Sequence, residues 1–377
     1  MARRGAGEGS VFRRDSDGRW VARLVVEEGG RARRRTFYGK TRKEALEKLR
    51  EAQRRVEDGG PVVDSSAPLS AFLVKWRATT LEAAELKPTT RENYATLCRR
   101  HLEPTLGHIA LGKLTPADVE ALVLAKRREG LSDATIRLIY TTLRRALDAA
   151  VRDGLVRRNV ASAVSRPRVG HREAKVLTPL QAQQLLDAAR GDRLFAFFAV
   201  AMGCGLRRGE GLALRWADVD LDEGLLRVGR TLSRTKDGLV FTEPKSARSR
   251  RTVPLPRQLV DELRRHRQRQ LEERLLVASE WEDNDLVFPS RLGTPLDPRN
   301  ALRAFQAAVT RAGLPMVGLH TLRHTCASLL LAQGVHPRVV METLGHSGIS
   351  ITMDTYSHVM PQQQREAADH LAAALSW

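Results

Sequence analysis

The chain has 377 residues, 42% of them hydrophobic, with a formal charge of +19 and a pI near 10.8. Single hydrophobic cores rarely grow to that length, so two or three domains are expected, and the positive excess points to a polyanionic partner. No uncharged apolar run approaches the ~20 residues of a spanning helix, the N-terminus lacks a signal-peptide core, and three scattered cysteines (Cys98, Cys204, Cys326) give neither ligand spacing nor a disulfide framework, as in a reducing cytosol.

Residues 1–64 read as a small basic module. Turns at Asp15-Ser-Asp-Gly18 and Gly29-Gly30 separate β-branched and aromatic runs, which predicts a three-stranded antiparallel sheet. Thr41–Val56 follows as a helix, with Thr41 as N-cap and Glu44 completing a capping box. A basic sheet backed by one helix suits a groove reader. Residues 57–67 form a linker. The next segment, 68–166, is expected to be all helical, over Leu69–Thr79, Thr89–His101, Thr115–Glu129 and Asp133–Asp153. Its caps are expected at Ser70, Thr89, Thr115 and Ser132. Arg99-Arg100-His101 and Arg144-Arg145 project cations from these helices, which could lie against a duplex. Arg166–Lys175 is a second, basic linker. The remainder, 176–377, is mostly helical: Thr178-Pro starts one helix, Arg193–Gly203 is a buried one, and residues 225–255 have strand character. Cys204 and Cys326 read as core packing. The fold class is therefore multidomain and mainly α, with a small N-terminal sheet plus helix, a helical bundle, and an α-rich C-terminal domain carrying a small sheet or hairpin.

The chemistry concentrates in short strings of that last region. Gly205-Leu-Arg-Arg-Gly-Glu210 supplies Arg207, His320-Thr-Leu-Arg-His324 supplies His320 and Arg323, Leu344-Gly-His-Ser supplies His346, and Asp354-Thr-Tyr-Ser-His358 supplies Tyr356. Two permanent cations, two imidazoles and a phenol suit holding a phosphodiester and attacking it. Arginine pairs with phosphate through two bonds and stays charged. Donors preorganised around developing charge contribute ~10²–10³ each. Glu210, three residues beyond Arg207, is placed to brace its guanidinium or a nearby amide. Tyr356 is the candidate nucleophile: a phosphotyrosine conserves bond energy, so a strand can be resealed without ATP. Only four tyrosines exist, and Tyr38, Tyr94 and Tyr140 lie in the N-terminal parts. A general acid for the leaving oxygen is also needed. Lys245 is the candidate, though Arg248, Arg250 and Arg251 crowd the same turn.

In order, spacing and flanks these strings, together with Pro244-Lys245 and Arg251-Thr-Val-Pro-Leu255, resemble a tyrosine recombinase of the phage-integrase type. The match runs over about 176–360. The resemblance implies an arm-type DNA-binding domain at 1–64, a core-binding domain at 68–166 and a catalytic domain at 176–377. It implies that Arg207 and Arg323 clamp the scissile phosphate and that Lys245 protonates the 5′ oxygen. His320 would assist the proton of Tyr356, His346 would bond the phosphate, and Tyr356 would form a 3′-phosphotyrosine. It calls for no cofactor and no metal. The implied partners are double-stranded DNA, at core and arm attachment sites, and a homotetramer exchanging strands through a Holliday junction. An excision factor or host DNA-bending protein is a candidate partner, no membrane is involved, and the location is cytoplasmic. A helix at Gln362–Leu375 is expected to dock on a neighbouring protomer or on its own domain.

Three other readings compete. His320 and His324 have the i,i+4 spacing of a zinc pair, but Thr-Leu-Arg between them lacks a general-base glutamate. A type IB topoisomerase shares the chemistry, yet the arm-like module and tail helix favour recombination. A non-catalytic DNA-binding regulator would require loss of the nucleophile or an arginine, and both are present.

Overall fold

The computed structural model describes residues 9–15, 17–28, 31–57, 66–170, 175–244, 249–345, 348, 369 and 371–375. It divides into two compact units, Met1–His171 and Arg172–Trp377.

In the first unit β1 (Gly9–Arg13), β2 (Trp20–Glu28) and β3 (Arg31–Gly39) form an antiparallel sheet in chain order. Side-chain alternation sets its two faces. Ala22 and Leu24 are wholly buried and pack, with Val11, Trp20 and Phe37, on Ala45, Leu49 and Ala52 of α1 (Arg42–Glu57). Thr41 accepts from the Glu44 amide at 3.2 Å, but the Glu44 carboxylate accepts from the Lys40 amide at 2.8 Å, so the expected box closes one residue early. On the opposite face the Arg23 guanidinium lies 4.6 Å from the centre of the Phe12 ring, and Arg14 lies 5.9 Å from that of Tyr38. Both are within cation–π range.

The helices that follow are α2 (Leu69–Ala78), α3 (Thr80–Ala83), α4 (Pro88–Leu97), α5 (Glu103–Leu106), α6 (Pro116–Arg128) and α7 (Asp133–Arg152). Thr115 and Ser132 cap α6 and α7 as expected, each accepting an amide three residues on at 3.3 Å. Ser70 and Thr89 do not cap: Pro68 and Lys87 hold those positions, and Pro88, with no N–H to satisfy, opens α4. The single helix expected at 89–101 is interrupted by a π-helical turn over Cys98–Leu102. That turn buries Cys98 and Leu102 and leaves Arg99 and Arg100 exposed. Tyr140 is 1% exposed, its hydroxyl shared between the carbonyls of Ala161 at 2.7 Å and Val164 at 2.9 Å. It ties the chain leaving the bundle to the bundle's core.

The second unit contains α8 (Pro179–Ala189), α9 (Phe195–Gly203), α10 (Arg208–Leu212), β4 (Val219–Asp220), β5 (Leu225–Val228), β6 (Thr231–Thr235), β7 (Gly238–Thr242), β8 (Arg251–Pro254), α11 (Arg257–Val277), α12 (Pro298–Arg311), α13 (His320–Ala332) and α14 (Pro337–Leu344). Strands β4, β5 and β8 make one antiparallel sheet and β6–β7 a separate hairpin, as the strand character of 225–255 predicts. Thr178 and Gln181 form the capping box of α8. Helix α9 is apolar on every side and buried from Ala196 to Met202, as a central helix must be. Phe197 meets Phe288 edge-on at 5.4 Å and Phe198 meets Phe305 at 5.5 Å. With its length engaged in the core, α9 presents chemistry only from its C-terminal end. The expected tail helix at Gln362–Leu375 lies outside the described residues except for 369 and 371–375, of which 369 and 371–374 are helical.

Candidate active site

At the C-terminal end of α9 the chain must turn sharply. Gly205 makes the turn with φ +59°, and the Leu206 amide donates to Ala201 O at 3.1 Å, the closure of a Schellman motif. Leu206 is buried as an anchor, and Arg207, extended at φ −70° and ψ 147°, then opens α10. Glu210 does both things expected of it. Its carboxylate accepts from the Arg207 amide at 3.0 Å and from Arg207 Nη1 at 2.6 Å. A carboxylate in a first turn is also favoured by the exposed amides there.

Helix α13 brings its arginine to the same turn. Arg323 is 1% exposed, and its Nη1 donates to Gly205 O at 2.7 Å. Two arginines far apart in sequence are thereby registered on one glycine. His320 opens α13 with an edge in solvent, its ring edge-to-face with that of His324 at 4.5 Å. Desolvation, then His324, Arg323 and Arg207, push its pKa down to about 4. His324 is lowered as well, by burial and then by Arg323. At neutral pH His320 is therefore an uncharged imidazole, able to accept a proton.

The third string arrives through α14, which ends at Gly345 in the left-handed conformation, φ 64°. Leu344 is wholly buried, packed with Ala327, Leu331 and Val340. Arg207 Nη2 donates to Gly345 O at 3.2 Å. His346, Lys245 and Tyr356 lie outside the described residues. The hairpin that leads toward Lys245 is nonetheless fixed to α10: a Cβ on Gly209 would fall 2.4 Å from Thr231 Oγ1 and 2.7 Å from Leu232 O.

One participant escapes the sequence reading. Arg251 looks like one more cation of a crowded basic turn, yet its side chain is only 6% exposed. Its Nε donates to Thr343 O at 2.6 Å and its Nη2 to Glu210 Oε2 at 3.0 Å. The signal was strand alternation: Arg251 shares a face of β8 with the buried Val253. Burial alone would raise the Glu210 pKa; Arg251 and then Arg207 outweigh it and hold the carboxyl below its usual range. Among the described residues no three His, Cys, Asp or Glu side chains are gathered as metal ligands would be. The gathered groups are guanidiniums around one carboxylate, an arrangement with net positive charge that suits an oxyanion.

The family model described as "Phage integrase family" matches residues 175–363, and that of the phage integrase N-terminal SAM-like domain matches residues 69–124. A tyrosine recombinase XerC-like protein of Caldanaerobacter subterraneus subsp. tengcongensis is 31% identical over 92% of this chain and 93% of its own. The integrase of transposon Tn1549, solved in complex with transposon right end DNA, superposes with a TM-score of 0.67 at 23% identity, covering 81% of this chain and 99% of that one. A lambda integrase tetramer bound to a Holliday junction gives a TM-score of 0.58 at 18% identity, over 94% of this chain and 97% of that one. At those identities the structural likeness bears on the fold.

Proposed function

The chain belongs to the phage integrase family of tyrosine recombinases, and on that premise we propose how its residues divide the work of cutting and rejoining DNA. Arg207 and Arg323 bind the non-bridging oxygens of the scissile phosphate and stabilise the charge that develops there. His320, uncharged, takes the proton of Tyr356 as its oxygen attacks phosphorus. The bond from phosphorus to the 5′ oxygen breaks, Lys245 gives that oxygen a proton, and a 3′-phosphotyrosine remains. His346 donates to the phosphate. Attack by a 5′ hydroxyl of the partner duplex reverses each transfer, so the strand is resealed without ATP, metal or cofactor. The observation that supports this most directly is the meeting of Arg323 with Gly205, two residues before Arg207, beside a neutral His320.

The same reading assigns 1–64 to arm-site binding, 68–166 to core-site binding and 176–377 to catalysis. The Arg23, Phe12 and Tyr38 face of the N-terminal sheet supports the first assignment. The match of 69–124 to an integrase N-terminal domain supports the second. Strand exchange in pairs requires four protomers on two duplexes. An excision factor or a host DNA-bending protein would set direction, and the work is cytoplasmic. No described helix is long and apolar enough to cross a membrane.

Tyr356→Phe tests the core of the proposal. The variant should bind DNA as the parent does and form no covalent protein–DNA adduct in a denaturing gel; adducts that persist would remove Tyr356 as nucleophile.

A further inference from the structure

Arg251 is a cation whose place in the site the family strings do not explain. Its side chain is only 6% exposed, enclosed by the protein. All three of its nitrogens are engaged: Nε with Thr343 O at 2.6 Å, Nη1 with Ser249 O at 3.3 Å, and Nη2 with Glu210 Oε2 at 3.0 Å. Those acceptors belong to three separate pieces of chain. Ser249 precedes the strand β8 that Arg251 opens, Glu210 orients Arg207, and Thr343 closes the last turn of α14. Two residues after Thr343, Gly345 O accepts from Arg207 Nη2 at 3.2 Å. The ring closes on itself: Arg251 to Glu210 to Arg207 to Gly345, and back through Thr343 to Arg251. The segments that carry Arg207 and Gly345 are thus held in register by one guanidinium whose three nitrogens are all bonded to the protein.

We propose that Arg251 is a positioning residue for strand cleavage, fixing Glu210 and the Thr343 carbonyl so that Arg207, held between Glu210 and Gly345, meets the scissile phosphate in one geometry. The proposal rests on the recombinase reading above. Lysine is not equivalent. It would keep a counter-charge for Glu210, but a point charge on a flexible stem cannot reproduce a planar fork with three divergent acceptors. Displacement of a catalytic group by about 1 Å costs on the order of 10²-fold in rate.

The test uses the full-length chain and a pool of nicked suicide duplexes with a randomised core, on which covalent adduct is trapped and quantified under single turnover. Arg251→Lys should melt near the parent temperature. Its maximal adduct rate should fall by ~10²-fold, while the protein concentration giving half-maximal rate and the salt slope of binding stay unchanged. Arg251→Ala should be at least as slow. An Arg251→Lys rate equal to the parent's would overturn the proposal, because charge alone would then suffice. A salt slope shallower by ~1 would overturn it too, by making Arg251 a phosphate contact. Parallel loss of melting temperature, binding and rate in Arg251→Lys would reduce its role to folding and equally reject the proposal. If the parent forms no adduct, or Tyr356→Phe forms as much, the recombinase reading fails instead, and the two failures are told apart.

Discussion

Gly205 and Gly313 occupy the same position in the same motif, which lets one substitution be dissected by another. Each follows the C-cap of a helix with positive φ, +59° and +65°, and in each case the next amide closes back on the helix, Leu206 to Ala201 O at 3.1 Å and Leu314 to Val309 O at 3.2 Å. An alanine forced into this region costs ~1–2 kcal/mol at either site. Their surroundings differ. A Cβ on Gly313 meets nothing within 4 Å, whereas one on Gly205 falls 2.3 Å from Leu344 Cδ2 and 3.4 Å from Cys326 Sγ. Leu344 is wholly enclosed by Ala327, Leu331 and Val340, so it cannot swing aside, and overpacking adds ~1–3 kcal/mol. Gly205→Ala should therefore lose ~2–5 kcal/mol and Gly313→Ala only ~1–2. At roughly 2–4 °C per kcal/mol for a unit of this size, calorimetry of the two variants separates them readily. Because Gly205 O is also the acceptor for Arg323, Gly205→Ala should slow adduct formation as well, and Gly313→Ala should not. Equal melting temperatures for the two variants, or a parental adduct rate in Gly205→Ala, would refute the assignment of Gly205 as the packed junction of the site.

Other outcomes follow from the same geometry. Arg207→Ala should cost cleavage ~10²–10³-fold with little loss of binding in filter assays; equal losses would make it a docking residue. Tyr140→Phe should destabilise the helical bundle by ~1–3 kcal/mol, since the buried carbonyls of Ala161 and Val164 lose their donor, and a variant that unfolds in urea at the parental midpoint would contradict this. Folded His320 protonates near 4 and an unfolded histidine near 6.5, so between those values the unfolded chain binds more protons and stability falls as pH falls. His320→Gln should flatten the dependence of stability on pH in that window; an unchanged curve would show that His320 titrates normally. Deleting residues 1–64 should leave core-site footprints intact and make the salt dependence of binding shallower, and an identical slope would reject the arm assignment.

Legibility in the sequence tracked how local the determining physics was. Caps and turns act within four residues, so Thr115, Ser132 and Thr178 mark their helices correctly, and the strand character of 225–255 marks the region that holds the β6–β7 hairpin. Where two local signals competed, the stiffer won: Pro88 set the start of α4, not Thr89. The π-helical turn at Cys98–Leu102 adds a residue to reconcile two buried side chains with packing on α7, information that lives in tertiary contacts. The brace of Glu210 on Arg207 is a short-range pair and was readable. The hold of Arg323 on Gly205 and of Arg251 on Thr343 spans a hundred residues or so, and only strand alternation hinted at the second.

Formal charge explains why the site is assembled this way. Arg207, Arg251 and Arg323 contribute three positive charges and Glu210 one negative, while His320 stays neutral because its burial, then His324, Arg323 and Arg207, oppose its protonation. A phosphodiester arrives with one negative charge and reaches two in the pentacoordinate transition state. On the proposed assignment the net positive arginine–glutamate cluster gains more from the extra negative charge of the transition state than from the ground state, which is the condition for lowering a barrier instead of merely tightening binding. Removing Glu210 would release the two guanidiniums it aligns, Arg207 and Arg251. A single acidic residue among many basic ones is therefore as much a part of this site as the arginines it holds, and binding of the phosphate, by offsetting the cations nearest His320, would raise the basicity of that imidazole when a proton has to be taken.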